Sequence, residues 1–549
     1  MKKRDTKDGV TVHAIAGAYV VLLGFDVTAQ RRNSLLGFAV KRTNHATNED
    51  YWLPGMKTFQ EIEPHPAPDA SASTLEHPIQ GFRWGDYTAK PGSHYTYTVQ
   101  TVYGTPTNRT QGPSVSVDVT TEDEDVGTHA VYFNRGVAGS QAYAKKFHNQ
   151  RPDKVGPAAW KWLSRGLEEA MLAFIGQASS PKFGLRAAVY EFNHMPVLQA
   201  FKAAGAACRD VSIVYDARPG KGHPVTKSNK AIKAAGIGAL MIKRTSNPSY
   251  IAHNKFIVLL EEKQGTKRPV AVWTGSTNFT ASGIFGQSNV GHVVRDPALA
   301  AKYLAFWERL AEDPAAGQLR EDNLQATPDP SGPPQANAVA PVFSPRPDLG
   351  ALTWYAGRLK ACSGSAFFTA AFGVNKAFQD VFAVTTPFLR YVLLEKTDAS
   401  TAKLREDHNC LIAYGAVLDH TQGLHQWLEE QLTGLSVHVK YIHNKFLLLD
   451  PLSNDPVVIS GSANFSDAST KNNDENMLVI RGDTRVADIY LGEFMRLWDH
   501  FRFRDVANRQ AAKAGTAAHK AAFLRPDDSW TDEYFKAGST KAKQRALFA

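Results

Sequence analysis

Short segments in which apolar and polar residues alternate fill the first part of the chain. The runs 35–42, 95–100 and 115–119 all show this alternation, and Gly, Pro and Asn separate them. A period of two residues is typical of β-strands that bury one face, so the pattern predicts an all-β domain over residues 10–122.

The rest of the chain reads as α/β. Runs 185–190 and 211–215 are apolar throughout, as in buried strands, and the region 160–177 has a helical pattern. Strands that alternate with helices predict sheets covered by helices. The fold class predicted is therefore multidomain, with an N-terminal all-β sandwich followed by a duplicated α/β region. The all-β region resembles a fibronectin type III or immunoglobulin-like sandwich in pattern.

The α/β region contains an internal duplication. Residues 250–260 read YIAHNKFIVLL, and residues 440–450 read KYIHNKFLLLD. Downstream of each comes a second matching piece, TGSTNFT at 274–280 and SGSANFS at 460–466. A repeat of this kind predicts two related lobes, 128–320 and 338–505, joined by a Pro-rich stretch. Residues 506–549 read as a basic C-terminal tail.

Each repeat brings together groups that suit a tetrahedral oxyanion. In the first repeat, His253 and Lys255 are two positions apart on a predicted strand and point to one face. The turn that follows supplies backbone N–H groups, the Ser276 hydroxyl and the Asn278 carboxamide, all of which can donate to an anion. The candidate site residues of both repeats are His253, Lys255, Gly275, Ser276, Asn278, His443, Lys445, Gly461, Ser462 and Asn464.

Two such sets predict a phosphodiesterase. In-line displacement at phosphorus needs a nucleophile on one side and a general acid on the other. One histidine from each lobe supplies these groups, and Lys255 and Lys445 neutralise the phosphate oxygens. We therefore expect no metal and no cofactor, and no Cys, Asp or Glu spacing completes a metal shell around the two histidines.

The motif His-x-Lys-x4-Asp with Gly-Ser-x-Asn, present twice, resembles the signature of the phospholipase D superfamily. The resemblance covers residues 128–505. It implies a two-lobed α/β/α sandwich, a site at the lobe interface and a covalent phosphohistidine. The N-terminal histidine is usually the nucleophile in this family, which by analogy assigns attack to His253 and proton transfer to His443.

The second copy matches the family pattern fully, and the first copy departs from it. Asp450 completes the second motif, and Glu475 is the expected acidic brace of a histidine ring, which would favour a protonated His443. In the first copy Leu260 stands at the Asp position, and Ser288 is the expected counterpart of Glu475. A histidine without an acidic brace is less basic, so an inactive first lobe is the alternative to be tested.

Composition narrows the classes of binding partner and the cellular compartment that we expect. The chain has 549 residues, a net charge of +9 and a pI of 9.1, which favours anionic partners such as phospholipid, an anionic membrane surface or nucleic acid. Three widely spaced cysteines do not form a disulfide framework and fit a reducing compartment. We expect a cytoplasmic protein. Export is the alternative, if residues 1–29 act as a signal peptide rather than as buried strands.

Two enzymatic functions compete, and a third reading is not enzymatic. A phospholipid hydrolase is slightly favoured because both motifs lie in one chain, so the catalytic unit forms without a second copy. A nuclease acting on DNA or RNA is the alternative. A phosphatidyl transferase is less favoured because no membrane-spanning run precedes the repeats. The last reading is an inactive phosphate- or membrane-binding protein. The oligomeric state stays open.

Overall fold

A computed structural model gives the structure of the chain. It describes residues 1–66, 71–136, 141–148, 150–220, 223–247, 250–397, 399–415, 441–511 and 523–549. Within these residues no helix combines the length and the apolar character that crossing a bilayer requires.

Two antiparallel sheets of four strands form the N-terminal domain, as the alternating pattern predicted. The first sheet has the order β1-β2-β3-β8, with β1 Lys2–Lys7, β2 Val10–Ala16, β3 Val21–Val27 and β8 Arg83–Asp86. The second has the order β10-β9-β4-β5, with β4 Leu35–Asn44, β5 Glu49–Trp52, β9 His94–Thr105 and β10 Asn108–Thr120. A separate two-stranded ribbon pairs β6 Pro54–Gly55 with β7 Ala72–Ser73. The apolar stretch 14–25 falls within β2, β3 and the turn between them, so its reading as buried strands is confirmed.

The C-terminal residues complete the core of this domain. Trp530 and Tyr534 pack among its buried side chains, and the Trp530 Nε1 donates a hydrogen bond to the Leu35 carbonyl at 2.8 Å. Phe548, the penultimate residue, is fully buried. The sequence predicted a basic tail from residue 506. In the structure a helix continues to Ala511, and residues 523–549 pack on the rest of the molecule because their aromatic side chains fill apolar gaps that no local pattern reveals.

Two large mixed sheets form the α/β region. The first has the order β11-β12-β18-β17-β16-β13-β14-β15. Its strands are β11 Asp125–Val126, β12 His129–Phe133, β13 Phe183–Val189, β14 Val211–Asp216, β15 Met241–Arg244, β16 Lys255–Lys263, β17 Thr266–Gly275 and β18 Val290–Val294. The second has the order β19-β25-β24-β23-β20-β21-β22. Its strands are β19 Val339–Ser344, β20 Ser365–Ala370, β21 Leu389–Leu394, β22 Cys410–Tyr414, β23 Phe446–Leu449, β24 Val457–Gly461 and β25 Glu475–Arg481. From β12 onward, the strands of the first sheet follow the same connection order as those of the second.

Helices pack on both sheets, and the last two helices belong to the C-terminal segment described above. They are α1 Gln141–Phe147, α2 Pro152–Val155, α3 Pro157–Ser164, α4 Leu167–Gly176, α5 Met195–Cys208, α6 Val225–Ala235, α7 Pro297–Ala311, α8 Ala316–Ala326, α9 Gly350–Ala361, α10 Lys376–Phe382, α11 Asp467–Lys471, α12 Thr484–Ala511, α13 Asp532–Phe535 and α14 Thr540–Phe548. Helices α7 and α12 contribute to one apolar core that also contains residues of both large sheets. Because this core is continuous from one sheet to the other, the two lobes are held in a fixed relation.

Trp530→Ala is expected to destabilise the N-terminal domain by about 3–5 kcal/mol, since it removes a buried aromatic ring and leaves a cavity. Denaturant unfolding followed by circular dichroism measures this change. Lys536→Ala, at an exposed position in the same C-terminal segment, is the control and should leave stability within about 0.5 kcal/mol of the wild type. An equally small effect of Trp530→Ala would show that the C-terminal segment is not part of the core.

Candidate active site at the interface of the two lobes

Each histidine of the repeated motif lies just before a buried central strand. His253 and Lys255 lead into β16, and His443 and Lys445 lead into β23. All four side chains are buried, with residue exposures of 6% or less. Each lysine Nζ donates to the backbone carbonyl of the histidine in its own motif. Each lysine is therefore held against the backbone of its histidine. The prediction that His253 and Lys255 lie on one strand is wrong, because β16 begins only at Lys255.

The glycine of each Gly-Ser-x-Asn turn is required by close backbone contact. Gly275 has a φ of +136°, and a Cβ there would lie 2.2 Å from the Val290 carbonyl oxygen. A Cβ on Gly461 would lie 2.2 Å from the Asn476 carbonyl oxygen. No side chain fits at either place, so glycine alone lets each turn approach the neighbouring strand.

The two lobes exchange backbone hydrogen bonds at the site. The His253 N–H donates to the Asp474 carbonyl at 3.0 Å, and the Ser288 N–H donates to the Tyr441 carbonyl at 2.7 Å. Single β-bridges form between Ala252 and Asp474 and between Ser288 and Ile442. Each histidine segment thus pairs with the segment that leads into β18 or β25 of the opposite lobe.

This crossed pairing decides which residue braces which histidine. The Nδ1 of His253 lies 2.9 and 3.0 Å from the two carboxylate oxygens of Glu475. The Nδ1 of His443 lies 2.8 Å from Oδ1 of Asn289. A carboxylate or carbonyl oxygen only accepts, so both Nδ1 atoms carry hydrogen. Each ring also forms a backbone hydrogen bond with a turn serine of the opposite lobe, Ser462 for His253 and Ser276 for His443.

Two expectations from the sequence are corrected here. Glu475 contacts His253 of the other lobe and not His443 of its own. Its counterpart is Asn289 and not Ser288, because Ser276 N–H donates to Val290 as Ser462 N–H donates to Asn476. The sequence comparison treated each lobe as self-contained, whereas the brace comes from the opposite lobe.

The serines of the two turns hold the braces. The Ser276 hydroxyl donates to Asn289 Oδ1 at 2.7 Å, and the Asn289 amide nitrogen donates to the Gly283 carbonyl at 2.7 Å. The Ser462 hydroxyl donates to the carbonyl of Asn476, the residue after Glu475, at 3.3 Å and accepts from the Asn476 N–H at 3.0 Å. We expected these hydroxyls to donate to a bound anion. They are instead engaged in fixing the residues that orient the histidines.

The asparagines of the two turns each have a side-chain oxygen that forms no hydrogen bond within the described residues. Asn278 is buried and donates from its amide nitrogen to Glu191 at 2.6 Å. The Oδ1 atoms of Asn278 and Asn464 are buried, and neither has a hydrogen-bond partner among the described residues. Both amides therefore retain hydrogen-bonding capacity that a ligand can satisfy.

Asp450 lies at the far end of its strand from the histidine. Its carboxylate accepts from the backbone N–H groups of Ser363, Gly364 and Ser365 at 3.2, 2.6 and 2.9 Å. These bonds fix the loop before β20. The buried Leu260 occupies the corresponding position of the first lobe. The absence of an aspartate there therefore leaves the residues around His253 unchanged.

Burial and charge set the protonation states of the site. Burial, assisted by the charges of Lys255 and Lys445, lowers the pKa of both histidines well below its ordinary value. Burial also lowers the pKa of Lys255 to about 8 and that of Lys445 well below its usual range. Burial raises the pKa of Glu475 to about 7 against the pull of Lys255. Within the described residues neither lysine Nζ forms an ion pair, although the carboxylates of Glu475 and Glu191 favour the charged form of Lys255.

Sequence reasoning missed several residues that shape the site. Asn134 accepts from the Asn289 N–H at 2.8 Å and donates to Ile284 and Gln287 carbonyls at 2.6 and 2.7 Å. The Tyr190 ring lies 4.9 Å from the His253 ring and beneath the Lys255 ammonium. Tyr190 ends a run that was predicted as a strand, and strand ends are where α/β proteins place their ligands. No local signal marked Asn134.

Comparisons with known proteins agree with the motifs. Residues 171–311 and 410–498 match the family described as "Cardiolipin synthase, PLD-like domain", and both histidine motifs fall inside these ranges. These two ranges make up less than half of the chain, and the match agrees with the predicted resemblance to phospholipase D proteins.

Individual relatives share limited stretches. The mouse mitochondrial cardiolipin hydrolase is 38% identical over 61 residues, which is 11% of this chain. The matched stretch spans a quarter of the length of that relative. The phosphatidylserine synthase of Haemophilus influenzae superposes with a TM-score of 0.40 at 9% identity, over 70% of this chain and 93% of that one. Nuc of Salmonella typhimurium, a phospholipase D family member, superposes with a TM-score of 0.21 at 15% identity, over 30% and 95%.

Binding of sulfate at this site is expected to weaken by about ten-fold between about pH 7 and about pH 9. The pKa of Lys255 is lowered to about 8, so its ammonium is charged below that pH and neutral above it. Sulfate keeps its charge throughout this range, and calorimetric titration gives its dissociation constant.

Lys255→Met should bind sulfate weakly at both pH values, whereas Lys263→Met, at an exposed position, should behave like the wild type. Unchanged affinity across the pH range, or tight binding by Lys255→Met, would contradict the role given to this ammonium.

Proposed function

We propose that this protein is a phosphodiesterase of the phospholipase D type that acts through a covalent phosphohistidine and needs no metal ion. The crossed pair of braces carries the proposal. A carboxylate orients one histidine and a carboxamide orients the other, and burial together with the two lysines lowers the pKa of both rings. In-line transfer of a phosphoryl group needs one oriented ring that attacks and a second that transfers a proton, and this pair of rings supports the proposal.

The first step is attack by His253. Its Nδ1–H donates to Glu475, which leaves the Nε2 lone pair directed away from the brace. Nε2 bonds to phosphorus, and the bond from phosphorus to the leaving oxygen breaks. Protonated His443 delivers its Nε2 proton to that oxygen, so the leaving group departs as an alcohol.

The second step is hydrolysis of the phosphohistidine. His443, now neutral, takes a proton from water, and the hydroxide formed attacks phosphorus. The N–P bond breaks, His253 regains its lone pair, and a phosphomonoester is released. His443 ends protonated, ready for the next turnover.

The unequal braces support attack by His253. An imidazole bonded to phosphorus carries positive charge, which the Glu475 carboxylate stabilises and which an amide such as Asn289 stabilises less. His443 needs a proton before the first step, although its pKa is lowered in the site. The negative charge of a bound diester raises that pKa and supplies the proton-bearing form.

The substrate proposed is a phospholipid, with a nucleic acid as the alternative. The net charge of +9 suits an anionic membrane surface and a polynucleotide equally. Both motifs in one chain slightly favour the lipid. The match to the cardiolipin synthase family and the stretch shared with a cardiolipin hydrolase support it further. Initial rates on phospholipid vesicles and on single- and double-stranded DNA, each with EDTA present, distinguish the two.

The domain organisation belongs to the same proposal. We propose two duplicated α/β/α lobes that act as a pseudo-dimer, supported by their shared strand order. The N-terminal domain is proposed to be fibronectin type III-like, supported by two antiparallel sheets around one core.

Variants that lack His253 or His443 should stop at different steps of the reaction. With bis-(p-nitrophenyl) phosphate the leaving phenolate needs little protonation, so His443→Asn is expected to release about one equivalent of nitrophenol and then stop. The phosphohistidine should accumulate at position 253. His253→Asn should release none. Rapid-mixing absorbance measures the burst, and peptide mass spectrometry locates the adduct.

The exposed His408→Asn provides the control and should turn over like the wild type. Steady turnover by His443→Asn would exclude the mechanism. An adduct mapped to His443 in His253→Asn would reverse the roles of the two rings. Failure of the wild type on every diester tested would favour the phosphate-binding reading.

Substitution of Glu475 or Asn289 should slow the reaction step of the histidine that it contacts. Glu475→Gln is expected to slow the burst itself by roughly 10²–10⁴-fold because it acts through His253. Asn289→Ala should leave the burst nearly intact and slow the turnover after it by about 10–100-fold. The reverse pattern would contradict the assignment.

A further inference from the structure

We propose that the N-terminal domain binds a divalent transition-metal ion, with Zn²⁺ as the probe of choice, through His45, His94 and Asp118. Each of these exposed residues offers one ligand atom, and the three atoms lie within 4.8 Å of one another. The residues belong to the β-domain, whereas the proposed reaction uses residues of the two lobes. The inference therefore stands apart from the phosphodiesterase.

Three adjacent strands bring the donors together. His45 follows β4, His94 begins β9, and Asp118 lies on β10. The His45 N–H donates to the His94 carbonyl at 3.2 Å, and Thr96 is the register partner of Asp118. His94 and Thr96 are two positions apart on one strand and so share a face.

That face is the outer face of the sheet. Tyr95 and Tyr97, which alternate with His94 and Thr96, point into the core of the domain. The donors are therefore fixed by the ladder hydrogen bonds of a rigid sheet rather than by a loop, which lowers the entropy lost when an ion binds.

Side-chain contacts already hold the three donors near one another. The imidazole rings of His45 and His94 are stacked, with centroids 4.2 Å apart and an angle of 18° between their planes. The Thr96 hydroxyl donates to Asp118 and lies 2.7 Å from Nε2 of His45. A hydroxyl that orients a ligating carboxylate is a common supporting contact in metal sites.

The donor set indicates the class of ion. Two imidazoles and one carboxylate suit Zn²⁺, Cu²⁺ or Ni²⁺, whereas Ca²⁺ and Mg²⁺ favour oxygen ligands alone. Ligands of tetrahedral zinc lie about 3.4 Å apart, so the three side chains need only small rotations to close on the ion. A water molecule would complete the fourth position. The ion would fasten β4, β9 and β10 together.

Calorimetric titration of Zn²⁺ into chelator-treated full-length protein without a polyhistidine tag tests the proposal. The wild type should bind one ion at this site, and His94→Ala and Asp118→Asn should each lose it or bind it roughly ten-fold or more weakly. The Asp118→Asn variant keeps the size of the side chain at an exposed position, so its folding is not at issue. His65→Ala, at an exposed histidine outside the cluster, should bind like the wild type.

Thermal unfolding provides the second readout. Saturating Zn²⁺ should raise the melting temperature of the wild type and of His65→Ala but not that of Asp118→Asn. Diesterase rates should be equal in the wild type and in Asp118→Asn. Absence of Zn²⁺ binding by the wild type, or equal stoichiometry and affinity in His94→Ala and Asp118→Asn, would overturn the proposal.

Discussion

The contact between the His253 ring and the Glu475 carboxylate joins the two lobes at the point where chemistry is proposed, and the surrounding structure maintains it. Glu475 begins β25, so its position depends on the second sheet, while His253 depends on the first. Asn476 reinforces the junction, because its amide nitrogen donates to Asn254 at 2.8 Å and its oxygen accepts from Thr274 and Tyr303. Each histidine and the residue that orients it come from different lobes, so neither lobe alone contains such a pair. The shared apolar core that includes α7 and α12 is therefore a functional requirement as well as a source of stability.

The same interface explains the electrostatics of the site. The Lys255 and Lys445 side chains are buried, and the carboxylates of Glu475 and Glu191 act on Lys255. Burying these charges costs desolvation energy that a neutral arrangement would avoid. A bound phosphodiester adds one negative charge beside these lysines and so offsets the cost of burying them. Asn289 of the first lobe occupies the position that Glu475 occupies in the second, so the two rings have different surroundings. In the proposed reaction this difference separates the ring that attacks from the ring that transfers the proton.

Much of the site could be predicted from the sequence, because its chemistry lies in short repeated motifs. The buried strands next to His253 and His443 could be predicted from the apolar run after each motif and from the repeat. The partner of Glu475 could not be predicted this way, since it depends on which lobe meets which across 222 positions. The same holds for Trp530, whose pairing with Leu35 spans 495 positions. Asn134 and Asn289 escaped notice because an asparagine carries no periodic signal, and its role arises only from the groups around it.

A crystal structure with bound vanadate would test the central claim most directly, because vanadate adopts the five-coordinate geometry of phosphoryl transfer. The account predicts the ion between the two rings, with Nε2 of His253 at one apex and Nε2 of His443 within about 3–3.5 Å of the oxygen at the other. Lys255 and Lys445 should contact the equatorial oxygens, and Glu475 should remain bonded to His253. Vanadate bound elsewhere, or to one ring while the other faces a separate surface, would contradict it.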